Sequence, residues 1–333
     1  MNDSLLDAAS VERYLSDRLG DSTLRVSGLK RSPLGLSRET WFATLSDRKL
    51  VLRCDLPGDL SSVPVTLRFE YEVYRRLEGT GVPAARALWY EEDSRILGRQ
   101  FYVREMIDGD MTVANFDNPD PRFDDLRIEV SKEHARKMAR VHQVDWKKQG
   151  FDALMPAPPD AASCGIATVD RIQSQFERFS FPPSPMLSAA MRWLREHAPR
   201  SAPAVCLCKG SNGAMQEIWR GTEIVGMSDW ELASLGDPAN DWARCAGYIP
   251  VVPGRWGEQQ LLDYYESISG LRITTEAMAF YRLIYAIEMI LVAKHAGLPI
   301  NSGKSRDARL AMLATSPIHQ FEMRLAQAMG IVA

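Results

Sequence analysis

"SDWELASLGDPANDWA", residues 228–243, is the stretch whose reading decides the fold. It begins where the apolar run "EIVGM" ends, so Asp229 closes a strand, a place where a carboxylate commonly caps a turn. The run just before it, "EIWRGTEIVGMSDW", reads as a hairpin turning about Arg220-Gly221, and "AVCLCKG" upstream reads as a further strand. Trp219, Trp230 and Trp242 are most simply core or groove aromatics. Between strand and hairpin lies "CLCKGSNGAMQEIW" (206–219), a loop with Lys209, Gly210, Ser211 and Gln216 but neither Asp nor His.

Outward from this centre the chain changes character. Residues 4–19 have the spacing of an amphipathic helix, with Leu5, Leu6, Val11, Tyr14, Leu15 and Leu19 on one face. Residues 24–55 read as three short strands with turn signals at Pro33/Gly35 and Ser46-Asp47. A helix follows over 67–81, ended by Gly79 and Gly81, and then two more strands in "ARALWYEED" and "GRQFYVREMIDG". From about residue 125 helices dominate: 127–145, 184–199 and most of 256–330. The organisation is a small α+β lobe over 1–108 and a larger helical lobe over 109–333 with an embedded hairpin.

Composition narrows the function. The 333 residues are 45% hydrophobic and 25% charged, with a net charge of −3 and both signs interspersed, so no basic face points to nucleic acid. Five Cys without a CxxC pair fit reduced thiols and a cytoplasmic location; Cys206 and Cys208 read as small apolar strand residues rather than a metal pair. The first twenty residues lack the basic and apolar regions of a signal peptide. The apolar run 280–297 contains Arg282, Glu288 and Lys294, which favours a buried core helix over a membrane span.

This order of elements resembles the aminoglycoside phosphotransferase family of kinase-like enzymes, and within it the kinase-like domain of acyl-CoA dehydrogenase family 10 and 11 proteins. The anchors are "LVLRCDLPG" (50–58), "GTGVPAARAL" (79–88), "LGRQFYVREMIDG" (97–109), "MARVHQVDW" (138–146) and the opening stretch. The resemblance implies a bilobal protein-kinase-like fold, ATP and Mg²⁺ as co-reactants, and a small molecule bound in the cleft between lobes. It places "SPLGLSRETW" (32–41) at the turn over the nucleotide, with Gly35 as cradle and Leu34 and Arg38 in place of small or polar residues; a plain β-turn is the alternative. Arg53 matches the cation on the phosphates and Glu70 the carboxylate that pairs with it. Glu105 to Ile107 match the hinge whose backbone meets adenine. Asp229 matches a metal ligand, and Asp237 and Asp241 match architectural positions, with Asp237 capping a helix.

The family's catalytic loop runs His-Gly-Asp, four residues, Asn. Here Lys209, Ser211 and Gln216 stand at the His, Asp and Asn positions. Ser211 is neutral near pH 7 and is no general base; Gln216 offers an amide oxygen for a metal on a longer stem; Lys209 brings a positive charge. The five His (134, 142, 197, 295, 319) are far from the loop in sequence, and no replacement base is evident. The expectation is therefore a non-canonical or repurposed small-molecule-binding protein, a pseudokinase, with weak or absent nucleotide binding. The alternatives are an active phosphotransferase on the hydroxyl of a small organic or acyl substrate, and a structural partner subunit.

Overall fold

The computed structural model describes residues 6–33, 38–56, 65–178, 184–212, 215–245, 252–315 and 318–332. Gly35 and Leu34 of the expected phosphate turn lie outside these. The described chain forms two compact units, one of residues 1–75 and 85–108, the other of 76–84 and 109–333.

The first unit is built on a five-stranded antiparallel sheet in the order β1-β2-β3-β5-β4, with β1 Gly28–Arg31, β2 Glu39–Thr44, β3 Lys49–Cys54, β4 Ala87–Glu91 and β5 Phe101–Glu105. Period-2 alternation gives the sheet two faces. One face carries Trp41, Ala43, Leu50, Leu52, Phe101 and Val103, buried in one cluster with Val11, Tyr14 and Leu15 of helix α1 (Ala8–Leu19). On the other face, register puts Thr40 opposite Arg53 and Arg53 opposite Tyr102. Tyr71 and Tyr74 of helix α2 (Leu67–Leu77) pack on Tyr102, so α2 lies along the face that carries Arg53. A four-residue helix α3 (Ser94–Leu97) links β4 and β5.

In the sequence, the whole of 1–108 reads as the small lobe, yet residues 76–84 group with the second unit. Polar contacts give the reason. Arg76 Nε donates to the Gly150 carbonyl at 3.1 Å, and the Met227 N–H donates to the Pro83 carbonyl at 2.6 Å.

The second unit is mostly helical: α4 Asp124–His142, α5 Cys164–Arg178, α6 Pro185–Glu196, α7 Ala239–Ala243, α8 Glu258–Ser269, α9 Thr275–Asn301, α10 Ala308–Thr315 and α11 Ile318–Ala328. Embedded in it, β6 (Cys206–Cys208) pairs with β9 (Ser234–Gly236), and β7 (Glu217–Arg220) with β8 (Glu223–Met227). The hairpin turn is Gly221-Thr222, one residue beyond the expected centre, with Gly221 at φ 63°. Helix α9 is long and apolar enough to cross a membrane. Its Phe280, Tyr281, Ile284, Ile287 and Ile290 are buried, and α10, α11 and α7 pack against it. All five Cys are buried and free.

Candidate functional site

In the first unit Arg53 reaches Glu70 from β3: Nε lies 3.5 Å from Oε2, and Nη1 donates to Thr40 Oγ1 at 2.8 Å. The Glu70 side chain is only 3% exposed and that of Arg53 13%, so the expected ion pair is present and mostly shielded from water. Arg38 is a correction. Its guanidinium is 3% exposed, pairs with Asp55 at 3.1 Å and donates to the Val65 carbonyl, so it is part of the unit's interior rather than an obstacle over a phosphate turn. At the expected hinge, the Glu105 N–H donates to the Arg86 carbonyl (3.0 Å) and the Met106 N–H to the Lys49 carbonyl (3.2 Å). The Glu105 carboxylate pairs with Arg86 at 2.6 Å. Of this stretch, the backbone of Ile107 is left without a hydrogen bond among the described residues.

The second unit holds the altered loop, and Asp241 organises it. Asp241 is fully buried on α7. Its Oδ1 accepts from the Gly210 N–H (2.8 Å) and Asn212 Nδ2 (2.8 Å). Its Oδ2 accepts from the Lys209 N–H (2.7 Å) and lies 3.1 Å from His142 Nε2. A carboxylate only accepts, so Nε2 carries the imidazole proton, and the Tyr265 hydroxyl, 2.7 Å from Nδ1, donates to the other nitrogen. Burial alone would raise the Asp241 pKa, but the hydrogen bonds from His142, Gly210 and Lys209 hold it below the ordinary carboxylate value. Gly210 itself is obligatory. Its φ is +82°, and a Cβ would stand 2.1 Å from the Leu232 carbonyl oxygen.

His142 and His134 correct the view from sequence that no histidine lies near the loop. His134, wholly buried on α4, has Nε2 3.7 Å from Glu217 Oε1. Burial, with the Lys209 charge nearby, pushes its pKa down to about 4, so it is neutral at pH 7. Neither ring serves Ser211: the hydrogen bonds of its hydroxyl run to Asp229 and Gln216. The signal for His142 was present in "MARVHQVDW", where it sits on the buried face of α4.

Lys209 is also corrected. Its side chain is fully buried rather than offered to a reactant. The ammonium donates to the Ser211 carbonyl, lies 4.0 Å from the buried Glu217 carboxylate and stands 5.8 Å over the Trp230 ring. It therefore staples the loop from beneath. Strand alternation sends Glu217 inward to Lys209, while Gln216 turns to the other side.

On that other side Ser211, Gln216 and Asp229 meet. Ser211 Oγ donates to Asp229 Oδ2 at 2.8 Å, and Gln216 Nε2 donates to Ser211 Oγ (3.0 Å) and Asp229 Oδ2 (3.2 Å). Ser228 fixes Gln216 by donating its N–H and its hydroxyl to the Gln216 carbonyl, each at 2.8 Å. Asp229 adopts φ +66°, a left-handed conformation uncommon outside glycine and concentrated at functional positions. Asp237 is not part of this group; it accepts the Ala239 N–H at 2.9 Å and so caps α7, and burial raises its pKa to about 6.

The divalent cation that the resemblance implies needs hard oxygen ligands. Asp229 supplies a carboxylate, and Gln216 Oε1 is a buried amide oxygen without a partner among the described residues. The amide here presents its nitrogen to Asp229; with the amide turned over, the two residues would each offer an oxygen to a cation. The donor set fits. His142, Cys208 and Asp241 also bring potential ligand atoms within 4.8 Å of one another. There, however, the Asp241 oxygens are taken by N–H donors and the Cys208 thiol points to the Asp237 carbonyl at 3.4 Å, so hydrogen bonding accounts for the cluster.

Comparison with known proteins agrees with this architecture. Acyl-CoA dehydrogenase family member 10 of Mus musculus is 28% identical over 246 residues, 72% of this chain and 22% of that protein. Acyl-CoA dehydrogenase family member 11 of Homo sapiens is 20% identical over 349 residues, 96% of this chain and 43% of that protein. The chain thus spans less than half the length of these curated relatives. Among solved structures, one from Ralstonia eutropha JMP134, provisionally named an aminoglycoside phosphotransferase, superposes with a TM-score of 0.69 at 19% identity, covering 98% of this chain and 99% of that one. A thermostable mutant of aminoglycoside phosphotransferase APH(4)-Ia, in ternary complex with ADP and hygromycin B, gives 0.60 at 18% identity, covering 95% of this chain and 98% of that one. At these identities the structures establish the kinase-like fold. Residues 28–281 match the model of the phosphotransferase enzyme family, and the chain belongs to that family.

Proposed function

We propose that this chain binds a nucleoside triphosphate with Mg²⁺, weakly, and is impaired in handing the phosphoryl group to an outside hydroxyl. The observation that carries this reading is the hydrogen-bonded set at Ser211. Asp241 holds the loop through the Lys209 and Gly210 N–H groups, yet the residue at the base position is a neutral hydroxyl that donates its own proton to Asp229. A hydroxyl in that arrangement cannot take a proton from an incoming alcohol, and loss of a general base typically removes about 10²–10⁴-fold in rate.

The binding part draws on each unit separately. In the first, Arg53 held by Glu70 supplies a fixed cation for phosphate oxygens, and Ile107 supplies open backbone for a base edge. In the second, Asp229 and Gln216 would hold the cation, which when bound neutralises charge on the phosphates. Family relatives support the ligand class: the APH(4)-Ia complexes contain ADP or AMP-PNP together with hygromycin B. For this chain a small hydroxylated organic or acyl molecule is the proposed ligand class, and a cytoplasmic location is proposed with it. Domain limits at 1–108 and 109–333 are proposed as the functional lobes.

Calorimetric titration with Mg-AMP-PNP tests the binding part. Expected are a dissociation constant well above the low-micromolar range and a further loss of about tenfold in Arg53→Ala, the size of one lost charge-assisted hydrogen bond. Low-micromolar binding that ignores both Arg53→Ala and Asp229→Asn would overturn it.

A further inference from the structure

Away from the altered loop, a groove of about 430 Å³ opens on the second unit. One wall is a single face of α4: Asp125, Ile128, Glu129 and Lys132 recur at the three- and four-residue spacing that lines side chains up along a helix. The other wall is Arg255 and Trp256. A tight turn fixes these two. Val252 and Trp256 form an isolated antiparallel bridge, the Val252 N–H donating to the Trp256 carbonyl at 2.8 Å, with Gly254 at φ 70° between them. The indole is anchored as well: Trp256 is 8% exposed, and its Nε1 donates to Ser131 Oγ at 3.0 Å. Lys132 lies about 15 Å along α4 from His142, at the usual helical rise, so the groove is separate from the Asp241 frame.

Charge decides what the groove can take. Its carboxylates are engaged within the protein. Asp125 pairs with Arg255, whose guanidinium also lies 3.8 Å from Asp124, and Glu129 pairs with Arg136 at 2.6 Å. Lys132 differs. Its ammonium stands 5.4 Å over the Trp256 ring and 5.5 Å over the Tyr264 ring, and it has no carboxylate partner among the described residues. Ring faces attract a cation without cancelling its charge, so its N–H donors are left for a further acceptor. Held between two rings, the side chain has already given up part of the rotamer freedom that an exposed lysine surrenders on binding.

We propose that this groove binds a small organic monoanion, a carboxylate with an apolar tail, its head on Lys132 and its tail against Ile128 and Trp256. The volume falls in the range of about 300–1,000 Å³ usual for small-molecule sites. A cationic ligand is disfavoured twice, because Lys132 already occupies the ring faces and Arg255 and Arg136 already occupy the carboxylates. A phosphate dianion brings one charge more than the groove leaves uncompensated. The site draws on one unit only and does not depend on nucleotide binding.

The test uses the full chain labelled with fluorotryptophan, without nucleotide, titrated with sodium hexanoate and followed by fluorine NMR. The Trp256 resonance is identified as the one lost in Trp256→Phe. Expected is a saturable shift of that resonance, with affinity weakened about tenfold or more in Lys132→Met, the size of one lost charge-assisted hydrogen bond, and retained in Lys132→Arg. Hexanol, the same tail without the charge, should bind about tenfold more weakly than hexanoate, and hexyl phosphate no more tightly. Thermal unfolding of each variant confirms that it is folded. The proposal is overturned if hexanoate leaves the Trp256 resonance unmoved, if Lys132→Met binds hexanoate as well as wild type does, or if hexanol or hexyl phosphate is the tighter ligand.

Discussion

Asp241 and Asp229 both accept hydrogen bonds from the loop that runs from Lys209 to Gln216, and the contrast between them separates what holds the loop from what the loop can do. Asp241 is sealed at 0% exposure and takes donors from the backbone of Lys209 and Gly210, from Asn212 and from His142. Asp229 is half-buried, strained at φ +66°, and takes donors from two side chains, Ser211 and Gln216. Backbone donors tolerate any side chain, so the Asp241 frame persists however positions 209, 211 and 216 vary. The Asp229 set is made of the side chains at 211 and 216 and changes whenever they do.

The comparison breaks if damage to the frame is mild. Asp241→Ala strands buried N–H donors and should cost about 4 kcal/mol or more, enough to unfold a marginal domain. Gly210→Ala should do the same through its positive φ and the clash with Leu232. Denaturant titration reads both. Next in size is Glu217→Gln, which leaves Lys209 buried without its counter-charge and should cost about 3–5 kcal/mol.

A pH measurement sharpens the same contrast. His134 is a base whose folded pKa is depressed from 6.5 to about 4. The unfolded chain gains this proton first on acidification, so the stabilisation is complete above pH 6.5 and is lost as pH falls from 6.5 toward 4. The shift amounts to about 3 kcal/mol. His134→Gln should flatten the stability profile between those limits relative to wild type, as read by urea midpoints at a series of pH values. An unchanged slope would mean that folding leaves the proton affinity of this imidazole unaltered.

Smallest is the expected stability effect of Asp229→Asn. It keeps an acceptor for Ser211 at a half-buried position, so it should move stability by no more than about 1 kcal/mol while removing the carboxylate. A single substitution does not restore the family's ordinary loop. Ser211→Asp would set a carboxylate beside Asp229 and not against Lys209, whose ammonium is engaged below with Glu217 and the Ser211 carbonyl. Like charges at that spacing keep one group protonated unless a cation lies between them.

Much of this was legible beforehand, for reasons that differ by element. The Arg53–Glu70 pair was readable only through the resemblance, which sets a strand cation and a helix carboxylate at these two positions. The antiparallel strands of the first unit and the hairpin announced themselves by alternation and turn chemistry. Strand β9 did not, since three residues are too few to show a period. Helix α5 was missed because its first turns carry Gly165, Thr168 and Val169, all weak helix formers. Gly165 is there for packing: a Cβ would stand 2.8 Å from the Pro199 carbonyl oxygen. Lys209 was misjudged because a lysine beside a catalytic position reads as exposed charge until a buried Glu217 is seen across from it. His142 and Asp241 are separated by 99 residues, and no local pattern could have joined them.

The most direct measurement is steady-state release of nucleoside diphosphate from Mg-ATP by the wild-type chain, with and without a panel of small hydroxylated acceptors. Kinases typically turn over at about 1–100 s⁻¹. With no base for an external alcohol, turnover should lie below about 0.1 s⁻¹ and should not rise on addition of any acceptor. Acceptor-dependent turnover at about 1 s⁻¹ or faster, surviving in Ser211→Ala, would contradict the account.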